Sequence, residues 1–111
     1  MPPEQALSFG PYRLAGPHGP LWCDTQVVPV PPKALAVLWQ LVTQAGQVVT
    51  KAALLDAGWA GTVVSEGVLT ACLHTLRQAL GEAAQQPRYI ATVHRLGYRF
   101  VAPVTAGAAP R

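Results

Sequence analysis

The residues best placed to do chemistry in this chain lie between Val64 and Phe100, and the chemistry they suggest is recognition rather than bond-making. From Ser65 to Gly81, apolar residues at 69, 73, 76 and 80 keep the spacing of a single helical stripe. A helix built on that stripe turns Gly67, Thr70, Ala71, His74, Thr75 and Gln78 to its other side, with Arg77 at the flank. Hydroxyls, an imidazole and a methyl on one free face are groups that can address base edges and thymine methyls in a major groove. Further along, His94-Arg95-Leu96-Gly97 interrupts an alternating pattern that runs from Tyr89 to Val93 and resumes from Tyr98 to Val101. That pattern predicts a hairpin with a basic tip.

Other chemistries find little support. Ser65 is explained as a helix N-cap, and no carboxylate stands in a motif that would orient a histidine toward it. Cys72 and His74 are two residues apart on the predicted helix and so point in different directions, which argues against a metal pair. Cys23 and Cys72 show no C-x-x-C spacing and read as reduced thiols serving as small apolar residues. No enzymatic activity, metal or cofactor is expected.

The elements that must position these residues follow in order. Residues 1–6 read as a disordered lead-in. Leu7 to Leu14, Leu21 to Asp24 and Gln26 to Val30 read as short strands of a small antiparallel sheet, with Gly/Pro turns at 15–20 and a tight connection at Asp24-Thr25. Prolines at 11 and 29 suggest edge positions. Pro31-Pro32 opens a first helix over Lys33 to Ala45, stopped by Gly46. Gln47 to Val49 is expected as an extended link, and Thr50 as the cap of a second helix from Lys51 to about Ala57. Trp59 and the loop 60–64 lead into the long helix, with Trp59 the one tryptophan expected near a docking surface. Residues 105–111 read as a tail or linker after a domain spanning 7–104.

Length and charge agree with one module of this kind. A chain of 111 residues, half of them apolar and 12% charged, makes a single globular domain. Net charge is +3 and unevenly spread. Residues 1–66 carry three basic and four acidic side chains, whereas 67–111 carry five basic ones against Glu82 alone. The positive field therefore sits on the long helix and hairpin, where a polyanion would dock. No apolar run approaches the length of a membrane span, and the expectation is a cytoplasmic domain.

A helix with a free face followed at once by a hairpin with a cationic tip is the layout of a winged helix-turn-helix, an α+β fold. The words match as well: L-R-Q-A-L-G followed by P-R-Y-I-A-T-V-H-R-L-G-Y-R-F closely resembles the C-terminal signature of OmpR/PhoB-type winged-helix DNA-binding domains. V-P-P-K-A-L-A-V-L-W-Q-L-V resembles the first-helix motif of that family. The resemblance implies a small N-terminal antiparallel sheet, three helices and a C-terminal β-hairpin wing. It implies sequence-specific binding of double-stranded DNA as the output domain of a bacterial transcriptional regulator in signal transduction of the phosphorelay type. The recognition helix, 65–80, would enter the major groove and the wing, 94–97, the minor groove.

Carried over position by position, Thr70, Ala71, His74 and Thr75 stand where the family reads bases. Trp59, Gly67, Arg77, Thr92 and Tyr98 stand where it contacts phosphates, and His94 where its wing enters the minor groove, with Arg95 beside it. The resemblance further implies contact with RNA polymerase through the 60–64 loop, and a monomer that pairs in tandem on DNA. With so little chain before the first strand, a sensor or ATPase domain is expected after Arg111, as in CadC-like regulators. Three departures stand out. The family often has arginine where this chain has Gly67, His74 and Thr75, and often glycine where it has Arg95, so cationic character has moved from helix to wing. The competing expectation is a winged helix used for protein contacts, for which a basic wing is not needed.

Overall fold

The computed structural model describes residues 6–82 and 88–106. Most of the expected lead-in, the polar loop before the hairpin and the last five residues of the expected tail lie outside them. Among the described residues, eight strands in two sheets and three helices surround one core.

Strands β1 (Leu7–Phe9), β2 (Tyr12–Leu14), β3 (Leu21–Cys23) and β4 (Gln26–Val28) form an antiparallel meander. The stretch expected as one strand from Leu7 to Leu14 is two, because Gly10 takes φ +58 before Pro11 and folds the chain back, pairing Phe9 with Tyr12. Pro11 therefore occupies a turn, not an edge strand. At the next hairpin Cys23 pairs with Gln26 across Asp24-Thr25, and Asp24 accepts φ +56, a conformation its short polar side chain tolerates. Pro29 follows β4, which is an edge strand, as expected.

Helix α1 (Pro32–Thr43) has proline at its first position and buries Ala34, Leu35, Val37, Leu38, Leu41 and Val42. It stops two residues before the expected end, and Gly46, at φ +87, donates its N–H to the Phe100 carbonyl at 2.9 Å. Residues expected as an unpaired link instead form β5 (Val48–Thr50), so the hairpin becomes a three-stranded sheet, β5-β7-β6, with β6 at Ile90–Val93 and β7 at Gly97–Phe100. The added strand satisfies backbone groups that a bare link would leave to water. Thr50 then caps α2 (Lys51–Trp59), its Oγ1 accepting the Ala53 N–H at 3.1 Å.

Helix α3 (Glu66–Leu80) buries Leu69, Cys72, Leu73, Leu76 and Leu80. Ser65 occupies the N-cap position, but its side chain makes no capping bond. Gly81 stops the helix at φ +72, with its own N–H on the Gln78 carbonyl and the Glu82 N–H on the Arg77 carbonyl. That is a Schellman motif, and it turns the chain so that Glu82 points back beneath the hairpin. The two sheets meet in an aromatic cluster: Phe9 packs edge-on against Phe100 with ring centroids 5.0 Å apart, flanked by Tyr12 and Tyr89. Thr105 and Ala106, expected as tail, form β8 and pair with Ser8 and Leu7 as a fifth strand of the first sheet. Together these elements are a winged helix-turn-helix.

The closest backbone approach lies at the wing. A Cβ on Gly97 would collide with the Val49 carbonyl and lie 2.9 Å from the Thr50 Cα, so β5 and β7 can pair at this register only around a glycine. Gly97→Ala should lower the unfolding free energy by about 2 kcal/mol, the usual scale of forced overpacking. Urea denaturation measures it, and a loss under about 0.5 kcal/mol would show that the strands separate freely.

Candidate nucleic-acid interface

Because Leu69, Leu73, Leu76 and Leu80 are fully buried, α3 is fixed in rotation and its far side is bare. Gly67, Thr70, Ala71, His74 and Gln78 are exposed, while Thr75 and Arg77 are half-buried at the margins. Thr70 uses its hydroxyl hydrogen within the helix, donating to the Glu66 carbonyl at 3.2 Å. What it presents outward is an acceptor and a methyl group. Cys72 lies on the inner side, where burial pushes its thiol up to about 11, so it is protonated at neutral pH and offers no nucleophile. Among the described residues no group of three or more histidine, cysteine or acidic side chains gathers as a metal site.

The wing tip is a three-residue turn, His94-Arg95-Leu96, closed by the Leu96 N–H on the Val93 carbonyl at 3.0 Å. All three residues are exposed, Leu96 at 58%. Arg95 has φ +68, the left-handed region that strains a residue with a Cβ. Glycine would fit there without strain, so the structure holds an arginine where the backbone asks for the smallest residue. Outliers of this kind collect at functional positions. The tip is tied to α2 by the Lys51 N–H, which donates to the Leu96 carbonyl at 3.2 Å. Lys51 Nζ in turn pairs with Glu66, in the first turn of α3, at 3.3 Å.

The base of the wing is tied to α3 more firmly. Arg77 Nη2 donates to the Ile90 carbonyl at 3.1 Å and to Thr92 Oγ1 at 2.9 Å, and its guanidinium lies 6.0 Å from the centre of the Tyr98 ring. Glu82, invisible as a functional residue in the sequence, has a fully buried side chain. Its Oε1 accepts the N–H groups of Arg88 and Tyr89 at 2.6 and 2.7 Å, and its Oε2 accepts that of Ile90 at 3.0 Å. Oε2 also stands 3.9 Å from Arg77 Nε, close enough for charge pairing, although that buried nitrogen makes no hydrogen bond. The one available hint was its place as the sole acid in a basic half, directly after a helix-stopping glycine.

The structure therefore brings Thr70, Ala71, His74, Arg77 and Thr92 to the helix and adjoining wing strand, and His94 and Arg95 to the tip. Tyr98 is only 7% exposed and packs in the core beneath Arg77. Trp59 is half-buried at the end of α2, with Lys33 Nζ 5.8 Å above its ring. It lines a hollow of about 280 Å³ with Leu55, Asp56 and Gly61 to Val64, whose outermost residue, Val63, is wholly exposed.

A helix with a bare polar face, flanked by a wing with a cationic tip, defines the winged-helix class of DNA-binding output modules. Residues 25–100 match the family described as transcriptional regulatory protein, C terminal, and the chain belongs to it. Among curated relatives, Transcriptional regulator HilA of Salmonella typhimurium is 41% identical over 92 residues, 83% of this chain but 16% of that protein. Transcriptional activator CadC of Escherichia coli is 31% identical over 74 residues, 66% of this chain and 14% of its own length. This chain thus spans about a sixth of HilA and a seventh of CadC. Among solved structures, the DNA-binding domain of E. coli CadC superposes with a TM-score of 0.78 at 23% identity, covering 92% of this chain and 96% of that one. The DNA-binding domain of Klebsiella pneumoniae RstA, solved in complex with the RstA box, superposes at 0.75 with 26% identity, covering 86% and 96%.

The strained tip makes a stability prediction. Arg95→Gly and Arg95→Ala remove the same charge, but only glycine relieves the positive φ, so the glycine variant should be the more stable by about 1 kcal/mol. Equal thermal midpoints would mean that the tip in solution does not hold this conformation.

Proposed function

We propose that this domain is a sequence-specific reader of double-stranded DNA, with α3 in the major groove and the wing, residues 94–97, in the adjoining minor groove. The observation that carries the proposal is the pairing of a bare α3 face with a strained arginine at the wing tip, on elements bonded to each other through Arg77. Thr70, Ala71, His74 and Thr75 are the base-reading residues. His94 and Arg95 meet the minor groove and its phosphates. Gly67 lets a phosphate approach the start of α3, Arg77 and Thr92 form a joint phosphate contact, and Tyr98 and Trp59 contribute their polar edges. RNA polymerase is the partner assigned to the 60–64 loop, where the exposed Val63 offers an apolar contact beside the Trp59 hollow.

The α3 face lacks the arginine-to-guanine and asparagine- or glutamine-to-adenine pairs that give strong discrimination in its first two turns. A single domain is therefore a modest reader. Useful selectivity comes from two copies head to tail on half-sites about one helical turn apart, held together by the remainder of a longer regulator, in keeping with the 16% of HilA that this chain spans. Duplexes enriched from a random pool by the isolated domain supply the test. Affinity for two adjoining half-sites should exceed that for one by far more than the doubled site count. Tight, strongly selective binding of a monomer to one half-site would overturn this part, and no binding to any duplex would overturn the whole.

Two further outcomes are expected. Arg95→Ala should weaken binding to every duplex and reduce the slope of log K against log salt by about one unit, since one cation no longer displaces counterions. An unchanged slope would remove Arg95 from the interface. His74 and His94 are both exposed, and a neighbouring phosphate favours the charged imidazolium. DNA affinity should therefore rise as pH falls from about 7.5 to about 6, and the trend should weaken in the double variant His74→Gln/His94→Gln. The same pH dependence in parent and double variant would refute the histidine contacts.

A further inference from the structure

The basic residue at the end of the reading helix is bonded to the first strand of the wing, and beside it stands a buried acid with no place in any DNA contact. We infer that Glu82 is a positioning residue for DNA recognition: its buried carboxylate sets the angle of the wing against α3, so that Arg95 and His94 reach the duplex that α3 is reading. This rests on the DNA-binding function proposed above.

The geometry is specific. The carboxylate receives three consecutive backbone N–H groups, those of Arg88, Tyr89 and Ile90, at the point where the chain enters β6. It stands beside Arg77, which bonds to Ile90 and Thr92 on the same strand. A buried carboxylate is costly unless its lone pairs and charge are satisfied, and here both are. Charge-assisted hydrogen bonds are short and directional, so three of them from successive amides fix the strand's direction as well as its place. The Schellman turn at Gly81 fixes the other end, because the Glu82 N–H is bonded to the Arg77 carbonyl. The strand and the last turn of α3 thus share one joint. The β5–β7 ladder and the Lys51 N–H hold the wing to β5 and the start of α2, whereas the joint at the base bonds its first strand directly to α3.

The consequence is a coupling between a residue that touches no DNA and one that does. In the parent domain, Arg95→Ala should weaken duplex binding about tenfold and lower the salt slope by about one unit. In a Glu82→Gln background, which keeps the side-chain shape but removes the charge and one acceptor, the same Arg95→Ala change should cost less than about twofold and leave the slope unaltered. Glu82→Asp, which restores the charge, should recover part of the coupling. A merely structural Glu82 would lower stability and leave the Arg95 effect undiminished, and that result in a folded Glu82→Gln domain overturns the inference.

A measurement on the unsubstituted domain guards against a variant that does not fold. If the joint makes one unit of helix and wing, the amides of Arg88, Tyr89 and Ile90 exchange with solvent as slowly, within about tenfold, as those of Leu73 and Leu76 in α3. Exchange a hundredfold faster overturns the inference whatever the variants do. Failure of the DNA-binding proposal looks different: the parent itself binds no duplex and shows no salt slope, and the positioning role then falls with it.

Discussion

The constraint on which this structure depends is that one helix must be held entirely from behind. Leu69, Leu73, Leu76 and Leu80 each lose essentially all of their solvent exposure, and burial of a leucine side chain stabilises by about 2 kcal/mol. With four anchors at helical spacing, α3 cannot roll, and its outer face can remain without a single apolar side chain larger than alanine across residues 70, 71, 74, 75 and 78. Helices α1 and α2 and the aromatic cluster of Phe9, Tyr89 and Phe100 are the backing for that arrangement. α1 packs closely on α2 at Gly58, where a Cβ would lie 3.4 Å from the Lys33 carbonyl, and Lys33 Nζ reaches the Gly58 carbonyl at 3.3 Å.

Electrostatics is divided between two tasks. Arg77 and Glu82 are opposite charges used inside the molecule, and they add nothing to the net field seen by a distant polyanion. Arg88, Arg95 and Arg99 are exposed and carry that field. The shift of cationic character from helix to wing, visible when the sequence is compared with its family's pattern, is therefore larger in the structure than in the residue count. The one arginine on α3 is already partnered.

The sequence was most informative where structure is set locally, although the Gly10-Pro11 turn and the absent Ser65 capping bond are local features it did not show. The stripe in α3, the Thr50 cap, the stopping glycine at 81 and the tight Asp24-Thr25 turn depend on residues within one or two turns of one another, and each stands where its pattern put it. Strand β5 was missed because Val48 and Val49 become a strand only by pairing with Tyr98 and Arg99, about fifty positions away. The split at Gly10-Pro11 was disguised by the apolar alternation on either side. Strand β8 was hidden by its small-residue surroundings and by its distance from β1. At the site, exposure on α3 followed from the stripe, while the engagement of Arg77 and the role of Glu82 depend on strand residues beyond an intervening loop. No spacing rule in one element reveals a bond made to another.

Strand β8 also decides how this module can be tethered. Leu7 pairs with Ala106 and Ser8 with Thr105, so the polypeptide enters and leaves at the same border of the first sheet, on elements that contribute nothing to the α3 face or the wing tip. Tension applied through β8 meets only this two-residue ladder, whereas β1 is also held by three pairs to β2. A pull strong enough to detach β8 peels away two pairs of backbone partners and lengthens the leash by a few residues. Neither pair involves α3 or the wing tip, so loss of the ladder removes no contact that positions them.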